Sequence, residues 1–425
     1  MIFRKTSLLI LLVSAVVSGS EVYGQMTLEQ CHEKARNNYP LIRQFDLIEQ
    51  SKDFTVSNAN KNYLPQLSVT AIGGIVDGFP SIGPSTPTSS TSSSSSTDVK
   101  LISIVQLNQV IWDGGITKSV KEISEINAKV ERADVEVSLY TLKSRVNNLF
   151  FGILLIDEQK AQLEFVKGTL RQNLNIATAA YQNGVAYQSD LDEINVELLN
   201  LEQQLTELEY NRSAFVGMLS LLTGEEITED QEFTPPVLTE ELSSLEIKRP
   251  ELDLFSSQEE LIESQTKMKR SGIYPKLGLM GLGTFIQPGI SFGQEEMNQL
   301  LVAGLSLSWE LGSIYRRSND KKLGEVNLNK IDNRRETFLF STRLELTRVE
   351  QDIEKYKALM ERDEQLIKLK TSIKNSYQSQ YDNGVARLSD LLIRINDENM
   401  ARQSFIVHEI QYLMAVYEYK TTSGN

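Results

Sequence analysis

The sequence predicts a mainly α-helical protein with four β-strands, built from one unit of roughly 200 residues that is present twice. The repeat is clearest where residues 181–191 and 381–391 are identical at eight of eleven positions. Two proline pairs, Pro40 with Pro65 and Pro250 with Pro275, extend the repeat upstream with the same spacing of 25 residues. Each copy also contains two strand-like segments and one long helical hairpin, which defines the predicted fold class.

The N-terminus has the pattern of a secretory signal peptide. Basic Arg4 and Lys5 precede an apolar run at 8–17, and small residues follow as far as Gly24. That run is well short of the ~20 apolar residues that a spanning helix needs, so we expect cleavage after Gly24 rather than a membrane anchor. Residues 1–24 are therefore assigned to a signal peptide, which implies export.

Composition argues against several classes of function. The net charge of −14 disfavours a nucleic-acid partner. Cys31 is the only cysteine, which rules out an internal disulfide, and His32 and His408 are the only histidines. Neither histidine belongs to a recognisable zinc-protease or Ser-His-Asp motif. We therefore expect no enzymatic activity, no cofactor and no metal site.

The first copy is expected at 25–224. It opens with a helix predicted at 27–61, for which Thr27 is the expected cap. Alternating apolar residues then predict strands at 66–78 and 99–112. The Ser/Thr-rich stretch between these strands cannot form a core and is predicted to be a loop.

A helical hairpin completes the first copy. Apolar residues recur at three-four spacing through 116–180, as in a coiled coil, and again through 191–222. Asn183 and Gly184 interrupt the pattern, so the two segments are predicted to be long helices joined by a tight turn. The first helix would measure about 100 Å, at a rise of about 1.5 Å per residue.

The second copy, expected at 249–425, follows an acidic, irregular connector predicted at 225–248. It is predicted to contain the same parts in the same order: a helix at 249–274, strands at 276–286 and 300–311, and helices at 316–380 and 389–419 on either side of Asn383 and Gly384.

Four strands cannot complete a membrane structure within one chain. No segment after the signal peptide approaches the length of a spanning helix, so any membrane crossing must use strands in a closed barrel. The smallest closed outer-membrane barrels have about eight strands, and an open sheet would leave two unpaired edges in lipid. The strands are therefore expected to pair between copies of the chain, of which two would give eight strands and three would give twelve.

Several segments recur at matching places in the two copies or mark the ends of predicted elements: Asn38-Tyr39-Pro40-Leu41-Ile42, Tyr63-Leu64-Pro65-Gln66-Leu67, Gln109-Val110-Ile111-Trp112-Asp113-Gly114-Gly115, Arg249-Pro250-Glu251-Leu252, and Asn-Gly-Val-Ala-x-x-Ser-Asp-Leu at 183–191 and 383–391. In these segments the chain resembles the outer-membrane efflux proteins, the TolC-like exit ducts of tripartite export systems, and the resemblance covers nearly the whole mature chain. The chain departs from the family at Trp309-Glu310-Leu311-Gly312-Ser313, where the family often has Phe-Asp-Gly-Gly.

The resemblance implies a homotrimer in the outer membrane of a Gram-negative-type cell, with a periplasmic extension. The hairpins would form an α-barrel, and four strands per chain would contribute to a trimeric twelve-stranded β-barrel within outer-membrane lipid. Family members act with a periplasmic adaptor (membrane fusion) protein and an inner-membrane transporter of the RND or ABC type. They pass small toxic compounds or secreted substrates outward. The rival interpretation is a pore-less periplasmic coiled-coil scaffold, which would not explain two strand pairs.

Residues at the two turns are candidates for partner docking. The resemblance implies that Gly184, Val185, Gly384 and Val385 lie where a helical hairpin of the adaptor docks. The competing interpretation is that the glycines only permit the left-handed backbone that a tight turn needs.

Asp190 and Asp390 occupy matching positions after the turns and are candidates for the periplasmic aperture. The resemblance implies that Asp390 lines this aperture, where three carboxylates would repel one another and attract cations. Capping of the returning helices is the alternative role for both residues, and the two roles are compatible. The family often has a further acid one turn on, but that position is Ile393 here.

Trp112, Trp309 and Tyr274 fall at predicted strand ends. Aromatic residues concentrate at membrane interfaces, so these three are predicted to form a girdle there, with ordinary packing as the alternative. The Ser/Thr-rich loop at 85–97 is expected to be the outward-facing tip of the sheet.

Overall fold

The computed structural model describes residues 25–76, 98–237, 246–287 and 298–425. The predicted signal peptide at 1–24 and the predicted outward loop at 85–97 lie outside these residues. In chain order the described elements are α1 (Leu28–Asn38), a 3-10 helix (Pro40–Arg43), α2 (Gln44–Lys61), β1 (Gln66–Val76), β2 (Asp98–Trp112), α3 (Ile116–Gln182), α4 (Gln188–Thr223), α5 (Pro250–Ser271), β3 (Lys276–Gln287), β4 (Asn298–Ser308), α6 (Gly312–Asp382) and α7 (Leu388–Ser423).

The first predicted helix is divided in two. It begins at the predicted cap, where the Thr27 N–H donates to Gln30 Oε1 (3.1 Å) and the Gln30 N–H donates to Thr27 Oγ1 (3.4 Å). The 3-10 helix at Pro40–Arg43 then separates α1 from α2. Proline disfavours helical geometry in the residue before it, and Tyr39 accordingly has an extended ψ of 131°. The prediction of one continuous helix at 27–61 is therefore wrong at this point.

The four strands form one antiparallel sheet in the order β1-β2-β3-β4. The register places Leu67 opposite Leu107, Leu107 opposite Gly281, and Gly281 opposite Ala303. This face of the sheet is apolar, and its exposed side chains include Val69, Leu101, Leu279, Leu301, Leu305 and Leu307. Within the described residues, β1 and β4 are each paired on one side only.

The last strand is shorter than predicted. β4 ends at Ser308, so Trp309 and Leu311, which the alternating pattern assigns to the strand, lie beyond it. The backbone turns here, because the Ser313 N–H donates to the carbonyl oxygen of Glu310 (3.3 Å) as α6 begins. Side-chain alternation alone does not reveal this end, since Leu311 keeps the parity of the strand.

The described chain divides into two compact units. The first unit contains residues 25–39, 142–237 and 349–418, and so includes α1, α4, most of α7 and the parts of α3 and α6 that adjoin the turns. The second unit contains the sheet, α2, α5 and the remaining parts of α3 and α6. None of the described helices is both long and apolar enough to span a membrane.

Two apolar clusters form the core of the first unit. One packs α1 against α3 and α4 through Leu28, Phe150, Phe151 and Leu219. Phe150 and Phe151 meet edge to face with ring centroids 5.9 Å apart. The second cluster, which we call the tip core, joins α3, α4 and α7 through Leu163, Val166, Leu170, Ala177, Leu191, Ile194, Leu201, Leu205, Leu388, Leu391, Leu392 and Ile395.

In the second unit, the Arg249-Pro250-Glu251-Leu252 motif organises the start of α5. Pro250 is the first residue of the helix, where a missing N–H breaks no helical hydrogen bond. The Arg249 guanidinium bonds to Glu251 (Nε to Oε2, 2.9 Å) and lies over the Tyr140 ring, 4.7 Å from its centroid. Tyr140 donates its hydroxyl hydrogen to the carbonyl oxygen of Thr421 (2.7 Å). This motif therefore has a packing role.

Buried charges hold α6 against α7 in the first unit. Glu398 is 5% exposed, and its carboxylate contacts Lys374 Nζ (2.8 Å), Arg402 Nη2 (2.7 Å) and the Thr371 hydroxyl (2.7 Å). Burial alone would raise the pKa of Glu398, but its bonds to these three groups lower that pKa to about 2. We call this group the Glu398 cluster.

The corresponding positions of the first hairpin are apolar. Gly184 and Gly384 are 200 residues apart, so Lys374 corresponds to Leu174 and Glu398 corresponds to Leu198. Leu174 and Leu198 pack against the tip core. At these two positions the first hairpin therefore packs through leucines, and the second packs through an ion pair.

Replacing Glu398 with Gln should destabilise the fold by about 2 kcal/mol at neutral pH, because Lys374 and Arg402 would lose a buried counter-charge. The depressed pKa stabilises the fold fully above the ordinary value of 4.5, and this contribution disappears as pH falls through about 2. The difference in unfolding free energy between Glu398→Gln and the parent should therefore shrink as the pH falls from 4.5 to about 2. Chemical denaturation, monitored by circular dichroism, measures this difference. A neutral-pH loss no larger than that of Glu364→Gln, an exposed control on α6, would contradict this role.

Candidate functional site

The first turn ends α3 in a Schellman motif, a helix ending that is closed by a left-handed residue. Gly184 is that residue, with a φ of 75°. Its N–H donates to the carbonyl oxygen of Tyr181 (2.9 Å), and the Val185 N–H donates to that of Ala180 (3.0 Å). These bonds satisfy two of the carbonyl groups that a helix end leaves without partners.

The second turn has the same geometry. Gly384 has a φ of 72° and donates its N–H to the carbonyl oxygen of Tyr381 (2.9 Å), while the Val385 N–H donates to that of Gln380 (2.8 Å). A Cβ added at Gly184 or Gly384 would meet no atom within 4 Å. Glycine is therefore needed for its positive φ and not for space, and the surface around each turn is open.

The two turns expose apolar side chains. Val185 is 79% exposed and Val385 is 77% exposed. Two residues further on, the tips differ, because the first exposes the Tyr187 ring and the second exposes the Arg387 guanidinium. Each tip thus presents a small apolar protrusion beside a different polar group, a surface that a partner could bury.

The carboxylates of Asp190 and Asp390 have different surroundings. Asp190 accepts a hydrogen bond from the Tyr187 N–H (2.9 Å) and so caps α4. Asp390 is half-buried in the first turn of α7, and no hydrogen bond or ion pair between side chains in the described part of the chain includes it. Of the two carboxylates, Asp390 is the one without a capping bond.

Asp190 also lies close to the second tip. Burial raises the pKa of the Tyr381 hydroxyl, and the negative charges of Asp190 and Asp382 raise that pKa further. Tyr381 packs against the tip core. The two tips therefore belong to one packed surface on which acidic groups from both come together.

The three predicted interface aromatics lie at one end of the sheet. Trp112 is the last residue of β2, Tyr274 precedes β3, and Trp309 directly follows β4. The rings of Trp112 and Tyr274 are 6.5 Å apart, and the Trp309 indole N–H donates to the carbonyl oxygen of Ile273 (2.9 Å). All three residues are about half exposed, so part of each side chain remains accessible.

Two features of these regions are not visible in the hydrophobic pattern. Glutamate in a charged helix is normally solvated, and only comparison with Leu198 in the first copy signals that Glu398 is buried. Asp113 is the second feature. It follows β2 and accepts hydrogen bonds from the N–H groups of Gly115 (3.0 Å) and Thr117 (2.6 Å), which couples the strand to the start of α3.

The sequence matches one protein family over nearly half of its length. The model of the family described as outer membrane efflux protein matches residues 32–225, which include the first tip. No match to this sequence was found among curated proteins.

The fold matches solved outer-membrane channels over almost the whole chain. The outer membrane protein VceC of Vibrio cholerae has a TM-score of 0.65 and 12% identity, with 94% of this chain and 96% of VceC covered. The CmeC channel of Campylobacter jejuni has a TM-score of 0.63 and 16% identity, with 93% and 85% covered. The open state of the Neisseria gonorrhoeae MtrE channel has a TM-score of 0.63 and 14% identity, with 94% and 89% covered. At these identities the likeness shows the fold.

These findings confirm the predicted fold class and localisation. Long helical hairpins and a four-stranded antiparallel sheet are the parts of TolC-like channels, in which the strands build a barrel. The family and the similar structures are outer-membrane channels, which supports an efflux exit duct with a periplasmic extension. Residues 32–225 match the outer membrane efflux protein family, and the chain has the fold of the TolC-like outer-membrane channels.

Proposed function

We propose that three copies of the chain form the exit duct of a tripartite export system. The sheets close a barrel in the outer membrane, and the hairpins form a helical duct in the periplasm. The tips meet a periplasmic adaptor protein that connects them to an inner-membrane transporter of the RND or ABC type. The observation that carries this proposal is the sheet, with its apolar face and two unpaired edges.

A single copy of this sheet would be unstable in lipid. Each unpaired backbone N–H or C=O group is costly in hydrocarbon, because no water is present to replace the missing bond. β1 and β4 are both 11 residues long, so β1 of one copy can pair with β4 of the next along its whole length. A pore-less scaffold would not explain the apolar face of the sheet or the equal lengths of β1 and β4.

Three copies suit a duct better than two. Two copies supply eight strands, and side chains fill the interior of an eight-stranded barrel of this kind. Three copies supply twelve strands and a wider interior, and cyclic symmetry closes the ring without leaving an edge. The TolC-like fold supports the same number of copies.

The tips provide the docking surface for the adaptor. Val185 and Val385 are apolar and exposed, and the open space around Gly184 and Gly384 allows another backbone to approach closely. Burying the valines against a partner would remove apolar surface from water, which favours association.

Asp390 and Asp190 line the periplasmic aperture. Each carboxylate lies six residues after its turn glycine, and threefold repetition would arrange the acids in rings that attract cations. Asp190 has a capping role in addition. The chain carries out no chemistry in this scheme. The transporter supplies the energy, and small toxic compounds or secreted substrates pass through the duct.

Replacing both Gly184 and Gly384 with Trp should abolish export and leave the trimer intact. The Cβ of each new side chain would meet no atom of the chain within 4 Å, but the indole rings would occupy the surface that the adaptor approaches. Export is measured as resistance of cells that carry the complete system, and trimers are measured by native mass. The matched control is Gly184→Ala with Gly384→Ala, which imposes the same left-handed strain of about 1–2 kcal/mol per site without the bulk. Normal export from the Trp variant, or equal loss from the Ala pair, would reject docking at the glycines.

Asp390→Ala should raise single-channel conductance or reduce block by divalent cations in planar bilayers, because a ring of negative charge leaves the mouth. Asp190→Ala is the comparison, with a smaller effect on block and a loss of about 1 kcal/mol in stability from the missing cap. Unchanged conductance and block in Asp390→Ala would remove this residue from the aperture. The same recordings test the proposed function, since a parent protein that forms no channels would contradict it.

A further inference from the structure

The chain has a strongly basic surface directly beside the sheet, although its net charge is −14. Residues 267–276, which join the end of α5 to the start of β3, contain four basic residues and no acidic ones. Residues 310–322, at the start of α6, contain four basic and two acidic residues. Eight basic and two acidic residues give these segments a combined net charge of +6. We call the two segments the basic patch.

Hydrogen bonds near the sheet hold the two segments of the basic patch together. The Trp309 indole N–H donates to the carbonyl oxygen of Ile273 (2.9 Å), and the Ser313 hydroxyl donates to that of Gly272 (3.4 Å). The end of α5 therefore lies against the start of α6. Basic side chains from both helices line one small crevice between them: Lys269, Arg270, Arg317 and Lys321.

The acidic residues of the basic patch do not neutralise it. Glu310 Oε1 lies 3.8 Å from Lys276 Nζ, and Asp320 Oδ1 lies 3.9 Å from Lys269 Nζ, both at the far end of the ion-pair range. In the part of the chain that the structure describes, no side-chain hydrogen bond or ion pair includes four other members, all of them exposed: Arg270, Arg316, Arg317 and Lys322. Because these cations lie close together, the surface favours an anionic ligand.

The basic patch begins where the three interface aromatics end the sheet. Arg270 precedes Tyr274 by four residues, and Arg316 follows Trp309 by seven. Tyr315, which lies between the last two, is 87% exposed. Aromatic side chains concentrate at the level of the lipid headgroups, and long basic side chains extend so that their charge reaches the polar region. In the proposed barrel, the cations would therefore lie at the phosphates of the leaflet that faces the periplasm.

We propose that the basic patch binds the phosphate groups of anionic phospholipids in the periplasmic leaflet of the outer membrane. The proposal rests on the proposed barrel for the position of the membrane and adds which lipid the chain selects. Arginine suits this ligand, because its planar guanidinium can donate two parallel hydrogen bonds to phosphate oxygens. Each basic residue at a membrane surface favours an anionic lipid by about fivefold. A zwitterionic headgroup carries its own cation and lacks this gain.

Native mass spectrometry of the purified protein in mild detergent tests the lipid site. The protein is titrated with phosphatidylglycerol, or with phosphatidylcholine of the same acyl chains. The parent should retain phosphatidylglycerol at lower lipid concentrations, and raising the ammonium acetate concentration should reduce this preference, because salt screens the attraction. Arg316→Gln with Arg317→Gln should weaken the retention of phosphatidylglycerol by on the order of tenfold and leave that of phosphatidylcholine unchanged.

The matched control is Lys357→Gln with Arg362→Gln. Both parent residues are exposed and lie on α6, and the pair removes the same charge as the first variant. Lys357 is 40 residues beyond Arg317, so it is outside the basic patch and far along the helix from the aromatic residues. The control should keep the preference of the parent for phosphatidylglycerol.

A preference for phosphatidylglycerol that is lost in the first variant and kept in the control supports the lipid site. Equal retention of the two lipids by the parent, or equal losses in the variant and the control, would overturn it. A first variant that loses its trimeric mass would also overturn it, because the arginines would then act between copies of the chain.

Conductance of the parent in planar bilayers of either lipid tests the proposed function separately. Channels without a lipid preference would overturn the lipid site and leave the duct in place. A lipid preference without channels would overturn the duct and leave the lipid site in place.

Discussion

The unpaired edges of the sheet are the constraint on which the rest of the account depends. β2 and β3 have neighbours on both sides, whereas β1 and β4 have one neighbour each within the described chain. Water can satisfy such edges and hydrocarbon cannot, so the sheet is complete in lipid only when other copies supply the missing strands. In the proposed trimer, assembly is part of folding, and twelve strands close around a wider interior than eight strands would.

The two halves of the chain have the same backbone geometry at their turns but differ in the side chains that pack their helices. Both turns use a left-handed glycine followed by an exposed valine. The first hairpin packs through residues such as Leu198, while the second places Glu398 among cations at the matching level. Apolar packing is insensitive to moderate changes of pH, whereas a buried carboxylate loses its contribution when it is protonated. At the level of Glu398, the packing of the second hairpin thus depends on charge.

Features that rest on a local repeat could be predicted from the sequence. The three-four spacing located α3 to within two residues of its end at Gln182, and the Asn-Gly pairs located both turns. Features set by local backbone geometry could not be read from the apolar pattern. Pro40 forces Tyr39 out of helical geometry, and a backbone turn at Glu310–Ser313 follows the end of β4 although Leu311 keeps the parity of the strand.

The candidate site was likewise predictable from the sequence only in part. Matching sequence placed Asp190 and Asp390 at equivalent points of the repeat, but only the three-dimensional arrangement distinguishes them. The Tyr187 N–H reaches Asp190, and Asp390 has no equivalent bond among the described residues. The burial of Glu398 likewise depends on which residues of α6 face α7, and periodicity within α7 alone does not contain that information.

Counting the chains in a conducting particle tests the central claim most directly. Protein labelled with one fluorophore per chain can be reconstituted into planar bilayers, and photobleaching steps can be counted in particles that conduct. The account predicts three steps per channel, because one chain leaves both sheet edges open. Conducting particles that bleach in a single step would show that one chain can form the pore alone, and would contradict the account.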